Sequence, residues 1–473
     1  MKNVSTKMLS RFISFLLALI ISTAINVSAQ QQKPLLLSDA ISTGINSYQS
    51  IQAKRSYLNA STALVQDIKN RYLPNVIASV QQSYGTVNGQ YGPVIAAEGM
   101  GIASAGPVSN SQRWDAGFGG LYLVNTNWEF FTFGRVKSRI TLANATVKKD
   151  SADLLQEEFV QSVKISGAYL SLLAAQKFLQ NAASNLQRAQ AVQQAVLART
   201  RSGLIAGVDS SIANAEVSRA KLAFIDARNN EQQFSNLLRQ LLNATSESFL
   251  LDTTFFSKIP SEFKTEIPVE QNPQAKFFQS RIDESNIAAA YLKKTALPGI
   301  NLFGIFQSRG SGFDYNYTVA NNYKYSRGYF DGIKPVRYNY ITGVALAWNI
   351  MSPLKIKQQV KARQYITEAY KNEYDQVTTD LKNQLILADE RIENSLQMIR
   401  EVPVQFKAAT DAYLQKSVLY KNGLTDIIDL QQALYALNRA QTDLSLANIN
   451  VWQALLIKTA ASGNFELFKK QVQ

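Results

Sequence analysis

The tightest constraint on this chain is an offset. Trp128 and Trp348 stand 220 residues apart, as do Gly203 and Gly423, Leu204 and Leu424, Asp209 and Asp429, Ala213 and Ala433, Arg219 and Arg439, and Ala220 and Ala440. The interval from Trp to Gly is 75 residues in both copies, with no insertion. Upstream, RYLPNV around Pro74 corresponds to TALPGI around Pro298 at a shift of 224, so the Pro-to-Trp segments differ by four residues. A repeat this long implies a tandem duplication, and any fold must accommodate one plan twice.

The plan is helical between Trp and Gly. Positions 165, 168, 172, 175, 179, 182, 186 and 189 hold Ile, Ala, Leu, Ala, Leu, Ala, Leu and Ala. Shifted by 220, the register continues as Leu385, Ala388, Ile392, Ser395, Ile399, Val402, Phe406 and Ala409. Spacing of three and four with large and small residues in turn predicts closely packed coiled-coil helices. A helix from about Gly134 to Thr200, at about 1.5 Å per residue, would run roughly 100 Å, which few globular domains can house. Pro403 predicts a local bend or break in the second copy. A further helix follows each Gly, on Ala213, Val217, Ala220, Phe224, Ala227, Phe234, Leu238 and Leu241 in the first copy, and on Ala433, Leu437, Ala440, Leu444, Ala447, Val451 and Ala454 in the second. Shorter helical segments, about Ser38 to Leu73 and Pro273 to Leu297, each end in Leu-Pro.

Strand patterns flank the long helices. After Pro74, Val76, Ala78, Val80 and Tyr84 alternate with Ser79, Gln81 and Ser83. Tyr122, Val124, Thr126, Trp128 and Phe130 alternate with Asn125, Asn127 and Glu129. INLFGIFQ and YITGVALAWNI repeat the theme, the latter with Tyr340, Val344, Leu346, Trp348 and Ile350 on one face. Strands of about ten residues are long enough to cross a bilayer at a tilt. An ordinary sheet packed on the helices is the alternative for any single strand. Aromatic residues near strand ends (Tyr84, Trp128, Phe130, Tyr340, Trp348) suit the interfacial girdle of a membrane barrel. Residues 85–116 and 310–339 are long and rich in Gly, Asn, Ser and Tyr, as external loops are. Four strands cannot close a barrel, since the smallest have about eight, so several chains must contribute.

Composition narrows the function. The first residues run from Lys2, Lys7 and Arg11 through an apolar stretch, Phe12 to Ile25, to Val27-Ser28-Ala29, the order of a secretory signal peptide cut after Ala29. The chain has no Cys and no His, which excludes disulfides, thiolate metal sites and the usual forms of Ser/His/Asp or zinc hydrolase. Carboxylate-only chemistry survives, but the acidic residues are scattered along helices. The net charge is +14. In an exported protein this suits anionic lipid or glycolipid surfaces rather than nucleic acid, or serves solubility alone.

Taken together, the leader, the Leu-Pro before a strand, the strand pair ending in Trp, the heptad helix, the Gly-Leu break, the second helix and their repetition resemble the TolC-like outer membrane efflux protein family over essentially the whole mature chain. The resemblance implies an α+β membrane protein: a homotrimer whose four strands per chain form a twelve-stranded outer-membrane β-barrel, continuing into a long periplasmic α-helical coiled-coil barrel. It implies a passive exit duct in the outer membrane of a Gram-negative bacterium, without catalytic, cofactor or metal site. Its partners would be outer-membrane lipid, a periplasmic adaptor (membrane fusion) protein and an inner-membrane pump of RND, ABC or MFS type, with no nucleic acid. An exported coiled-coil scaffold or adhesin is the alternative.

The same resemblance places adaptor docking at Gly203, Leu204, Gly423 and Leu424, and a periplasmic gate at Asp209, Tyr420 and Asp429. From the residues alone, Gly203 and Gly423 suit the left-handed end of a helix, and Asp209 and Asp429 suit the start of the next one. Two and nine residues after the second Gly, where the best-known members carry Arg and Asp, this chain has Thr425 and Gln432. Arg199, Arg201 and Lys421 could supply positive charge instead. The expected organisation is a signal peptide, 1–29, and a first repeat, 30–250, with strands 75–84 and 117–130, long helix 134–200, tip 201–208 and helix 209–246. A connector, 251–272, leads to a second repeat, 273–460, with strands 299–308 and 340–350, long helix 354–421, tip 422–426 and helix 427–460. A tail, 461–473, completes it.

Overall fold

A computed structural model describes residues 34–88, 95–97, 100–102, 111–245, 249–264 and 267–472. The signal peptide expected at 1–29 lies outside them, as does part of the first long loop. Along the chain run α1 (Leu37–Ser47), α2 (Gln49–Asn70), β1 (Asn75–Thr86), β2 (Ala116–Phe131), α3 (Arg135–Arg201), α4 (Gly207–Leu242), α5 (Pro273–Thr295), β3 (Gly299–Ser311), β4 (Arg337–Ala347), α6 (Ser352–Lys421), α7 (Ile427–Ser462) and α8 (Phe465–Val472). The order helix, two strands, long helix, second helix occurs twice, so the duplication is structural.

The chain divides into two compact units. One, Ser50–Glu157 with Pro268–Leu381, holds the sheet. Besides a short hairpin, Ile95–Ala97 with Met100–Ile102, four strands form an antiparallel meander, β1-β2-β3-β4, in which the β2–β3 pairing joins the two repeats. The register sets Ala78 beside Val124, Val124 beside Phe306, and Phe306 beside Tyr340. Because successive side chains point to opposite faces, this row lies with Val76, Val80 and Val344 on one face, while Ser79, Gln81, Asn125, Gln307 and Asn339 lie on the other. Val76, Val80, Val124, Phe306, Tyr340 and Val344 are all exposed. Such a continuous exposed apolar face marks a surface that is covered by a partner or a membrane. β1 and β4 each have an edge without a partner among the described residues.

The Trp at each strand end has a fastening role that the alternation pattern does not reveal. Trp128 Nε1 donates to the Tyr72 carbonyl at 2.8 Å, and Trp348 Nε1 donates to the Ala296 carbonyl at 3.0 Å. Both acceptors stand two residues before the Leu-Pro proline, Pro74 or Pro298. The last carbonyls of a helix have no partner within it, and the proline ends the helix there. The indole N–H satisfies a carbonyl in the turn between helix end and strand, and so ties the end of one strand to the start of its neighbour. β4 stops at Ala347, so Trp348 and Ile350, expected inside this strand, lie just past it.

The other unit comprises Met1–Gln49, Glu158–Ile267 and Lys382–Gln473. The heptad positions Ile165, Ala168, Leu172, Ala175, Ala182 and Ala189 are buried, as are Ala388, Ile392 and Val402 in the second copy. Its core gathers Leu37 and Ile41 of α1, Tyr169 and Leu172 of α3, Leu238 of α4, Phe255, Trp452 of α7 and Phe468 of α8. Tyr169 binds the stretch before α1 to the segment after α4: its hydroxyl donates to the Leu35 carbonyl (2.7 Å) and accepts from the Asp252 N–H (2.9 Å). Residues 465–472, inside the stretch expected as a tail, form α8, which buries Phe465, Leu467 and Phe468.

Of the bend or break expected at Pro403, a break does not occur, because α6 runs unbroken from Ser352 to Lys421. Pro403 removes one N–H, so only the Ile399 carbonyl loses its ladder partner. Pro403 is exposed, so the defect opens toward water, while Ile392 and Val402 on the packed face hold the helix.

Candidate functional site

The two chain reversals lie in the helical unit and share one hydrogen-bond pattern. At the first, Gly203 has φ +72°; its N–H donates to the Thr200 carbonyl (3.0 Å) and the Leu204 N–H donates to the Arg199 carbonyl (3.0 Å). At the second, Gly423 has φ +74°, with Gly423 N–H to Tyr420 carbonyl (3.1 Å) and Leu424 N–H to Leu419 carbonyl (2.9 Å). This is the Schellman arrangement, and it requires a left-handed residue at the glycine position. Leu204 and Leu424 follow immediately and remain 69% and 72% exposed. Each reversal thus presents one large apolar side chain to the surroundings.

Beneath the tips, Val196, Ala213, Tyr420, Ile427 and Leu430 form a small core. Tyr420 is only 5% exposed, and its hydroxyl has no hydrogen-bond partner among the described residues. Burial pushes the phenol upward, the nearby Asp209 carboxylate adds to the rise, and the Arg199 guanidinium opposes it. The phenol therefore stays protonated throughout the physiological range. Asp209 and Tyr420, expected as gate partners from separate repeats, are thus neighbours within one chain, although no hydrogen bond joins them.

Asp429, the third expected gate residue, is occupied differently. Lys416 Nζ donates to its Oδ2 at 2.5 Å, and Thr425 Oγ1 donates to the same oxygen at 2.7 Å. These bonds hold the Asp429 carboxyl below the usual carboxylate value, Lys416 being the larger cause. Asp426 caps α7 by accepting the Asp429 N–H at 2.9 Å. The first tip has none of this, since the residues equivalent to Thr425 and Lys416 are Ile205 and Val196, and Ala206 offers no side-chain cap. Comparison of the repeats signals the difference: Lys in one copy where the other has Val.

A depressed carboxyl contributes stability that is present above its unfolded pKa and lost as pH falls through the lower, folded value. Asp429→Asn should therefore lower the melting temperature slightly at neutral pH and at pH 5. The difference should begin to shrink as the pH falls below about 4, where the unfolded carboxyl protonates, and vanish only once the folded carboxyl is protonated too. The pair is partly exposed, so the effect is small.

Of the expected interfacial aromatics, Tyr84, Phe130, Tyr340 and Trp348 are exposed, while Trp128 is half-buried against the Tyr72 ring at 6.3 Å. Among the described residues, no helix is long and apolar enough to cross a membrane, and no cluster of acidic side chains could hold a metal ion.

A four-stranded antiparallel sheet with an exposed apolar face and two long helical hairpins, one per repeat, define the architecture. Residues 40–244 match the model of the outer membrane efflux protein family, and the second repeat follows the same plan as the first. No curated protein sequence matches the chain. Solved structures share the fold over almost its whole length. The CmeC outer membrane channel of Campylobacter jejuni is 12% identical, with a TM-score of 0.71 over 92% of this chain and 89% of that one. The outer membrane protein VceC of Vibrio cholerae is 13% identical, with a TM-score of 0.71 over 90% and 96%. The open-state MtrE outer membrane channel of Neisseria gonorrhoeae is 16% identical, with a TM-score of 0.68 over 90% and 88%. The chain as a whole therefore shares the fold of these solved structures.

Proposed function

We propose that the chain is the outer-membrane exit duct of a tripartite efflux or type I secretion system in a Gram-negative bacterium, with residues 1–29 as its export leader. The observation that carries this reading is the four-stranded sheet, apolar and exposed on one face and open at both edges. In water such a sheet would aggregate through its edges. In a bilayer it is stable only when closed, since unpaired backbone groups are costly in lipid. Pairing β4 of one chain with β1 of the next in a trimer gives a twelve-stranded barrel. Tyr84, Trp128, Phe130, Tyr340 and Trp348 then lie in its interfacial girdles.

The helical tips supply the periplasmic end. Leu204 and Leu424, each displayed by a glycine reversal, are the contacts for an adaptor that brings an inner-membrane pump of RND, ABC or MFS type. Asp209 and Tyr420, with Asp429 beside them, form the gate. Cargo passes unaltered, so the duct needs no catalytic residue or cofactor.

The chain extracted in detergent should run as a heat-modifiable trimer and conduct ions in a planar bilayer. A water-soluble, non-conducting monomer would overturn the reading. Within the channel, Asp209→Ala and Tyr420→Phe should each raise resting conductance. Unchanged conductance in both would leave these residues with packing roles only.

A further inference from the structure

Arg199 takes part in both chain reversals. Its carbonyl accepts the Leu204 N–H at 3.0 Å, closing the wider ring of the first. Its guanidinium Nη1 donates to the Tyr420 carbonyl at 2.6 Å, and that oxygen already accepts the Gly423 N–H at 3.1 Å in the second. A carbonyl oxygen has two lone pairs, and here both are engaged. The guanidinium carbon also lies 5.3 Å from the centroid of the Tyr420 ring, so the same cation holds the backbone and the side chain of one residue.

The link runs one way. Under the repeat offset, Arg199 corresponds to Leu419 and Tyr420 to Thr200, so the second tip carries no cation at the position equivalent to Arg199. Asp209 on the first hairpin acts on the Tyr420 phenol of the second only while the hairpins keep their register. Arg199 acts on the same phenol and is bonded to both reversals.

We propose that Arg199 is a positioning residue of the gate: it clamps the second tip to the first, so that a partner seating on either Leu204 or Leu424 moves both together. This role rests on the duct reading above. Arg199 acts through Tyr420, holding the phenol where Asp209 can reach it.

The test uses the full chain in detergent. Because the sequence has no Cys, Leu204→Cys and Leu424→Cys place two spin labels specifically, one at each tip. With labelled chains diluted into unlabelled ones, electron double resonance reads the distance between tips of one chain. The distribution should be narrow with Arg199, broad or split with Arg199→Met, and largely restored with Arg199→Lys, which keeps a charged donor on a long stem. In planar bilayers Arg199→Met should raise resting conductance as Asp209→Ala does. The double variant should exceed the leakier single variant by less than about twofold, because groups acting in one network are not additive.

Identical distance distributions in Arg199→Met and the parent, a lysine variant as broad as the methionine one, or fully multiplicative conductance would each overturn the clamp and leave the duct standing. Absence of conductance from every variant and from the parent would overturn the duct, and the gate role of Arg199 with it.

Discussion

Trp452→Ala is expected to destabilise the helical unit by about 3–5 kcal/mol, the cost of truncating a large, fully buried aromatic. Trp452 is 1% exposed. Its ring meets Phe255 at 5.0 Å and Phe468 at 5.8 Å, both edge to face, and Nε1 donates to the Lys258 carbonyl at 2.9 Å. The residue therefore binds three segments distant in sequence: α7, the stretch after α4, and α8. Its removal leaves a cavity and a carbonyl without its partner. Unfolding of the variant in detergent, followed by circular dichroism, measures the loss. Trp452→Phe separates the two contributions, since it keeps most of the ring and forfeits only the hydrogen bond, at about 1 kcal/mol. Hydrogen exchange in α8 should rise first in the alanine variant. A loss under about 1 kcal/mol would mean that α8 and the connector are held by other contacts.

The second large effect is expected at the glycine reversals. With φ at +72° and +74°, Gly203 and Gly423 occupy a conformation that costs an L-residue roughly 1–2 kcal/mol. Steric room is not the issue. A Cβ on Gly203 would meet nothing within 4 Å, and one on Gly423 would meet only Arg199 Nη2 at 3.6 Å, an ordinary contact. Valine at either site should thus open its own tip, raising the locally open population roughly five- to thirtyfold, without unfolding the unit. Arg201 and Lys421 stand two residues before the glycines, so trypsin reports this opening directly. Gly203→Val should cut faster after Arg201 and Gly423→Val faster after Lys421. Unchanged cleavage would show that the left-handed residue is not what holds the reversal.

Much of this architecture was legible in the sequence, because the features concerned are local or repeated. The heptad register needs only neighbours three and four residues away, and the buried series from Ile165 to Ala189 follows it. The reversals need a glycine with the right hydrogen bonds within five residues, and TRSGL and YKNGL each provide one. Alternation gave the apolar face of the sheet, from Val76 to Val344. Pro403 leaves its helix unbroken for the converse reason: a local penalty of one hydrogen bond is outweighed by packing along the rest of a 70-residue helix.

The candidate site was less legible. Asp209, Tyr420 and the tip leucines could be named from the repeat and the family resemblance, but their bonding could not. Asp429 looked like a twin of Asp209, yet Lys416 and Thr425 occupy it, whereas the residues matching those two at the first tip are Val196 and Ile205. Thr425, through its bond to Asp429, tightens its own tip.

By itself the sequence determined the duplication, the helical and strand periods, the places where the chain turns back and the absence of thiol and imidazole chemistry. Each follows from spacing along one chain or from which side chains exist at all. Only the tertiary structure decided that β2 pairs with β3 across the repeats, that each Trp fastens a helix end, that α8 docks on Trp452 and that Arg199 reaches the Tyr420 carbonyl. That last bond joins residues 221 positions apart. No local period encodes such a choice, because it depends on which of many compatible donors the packed helices bring within hydrogen-bond distance.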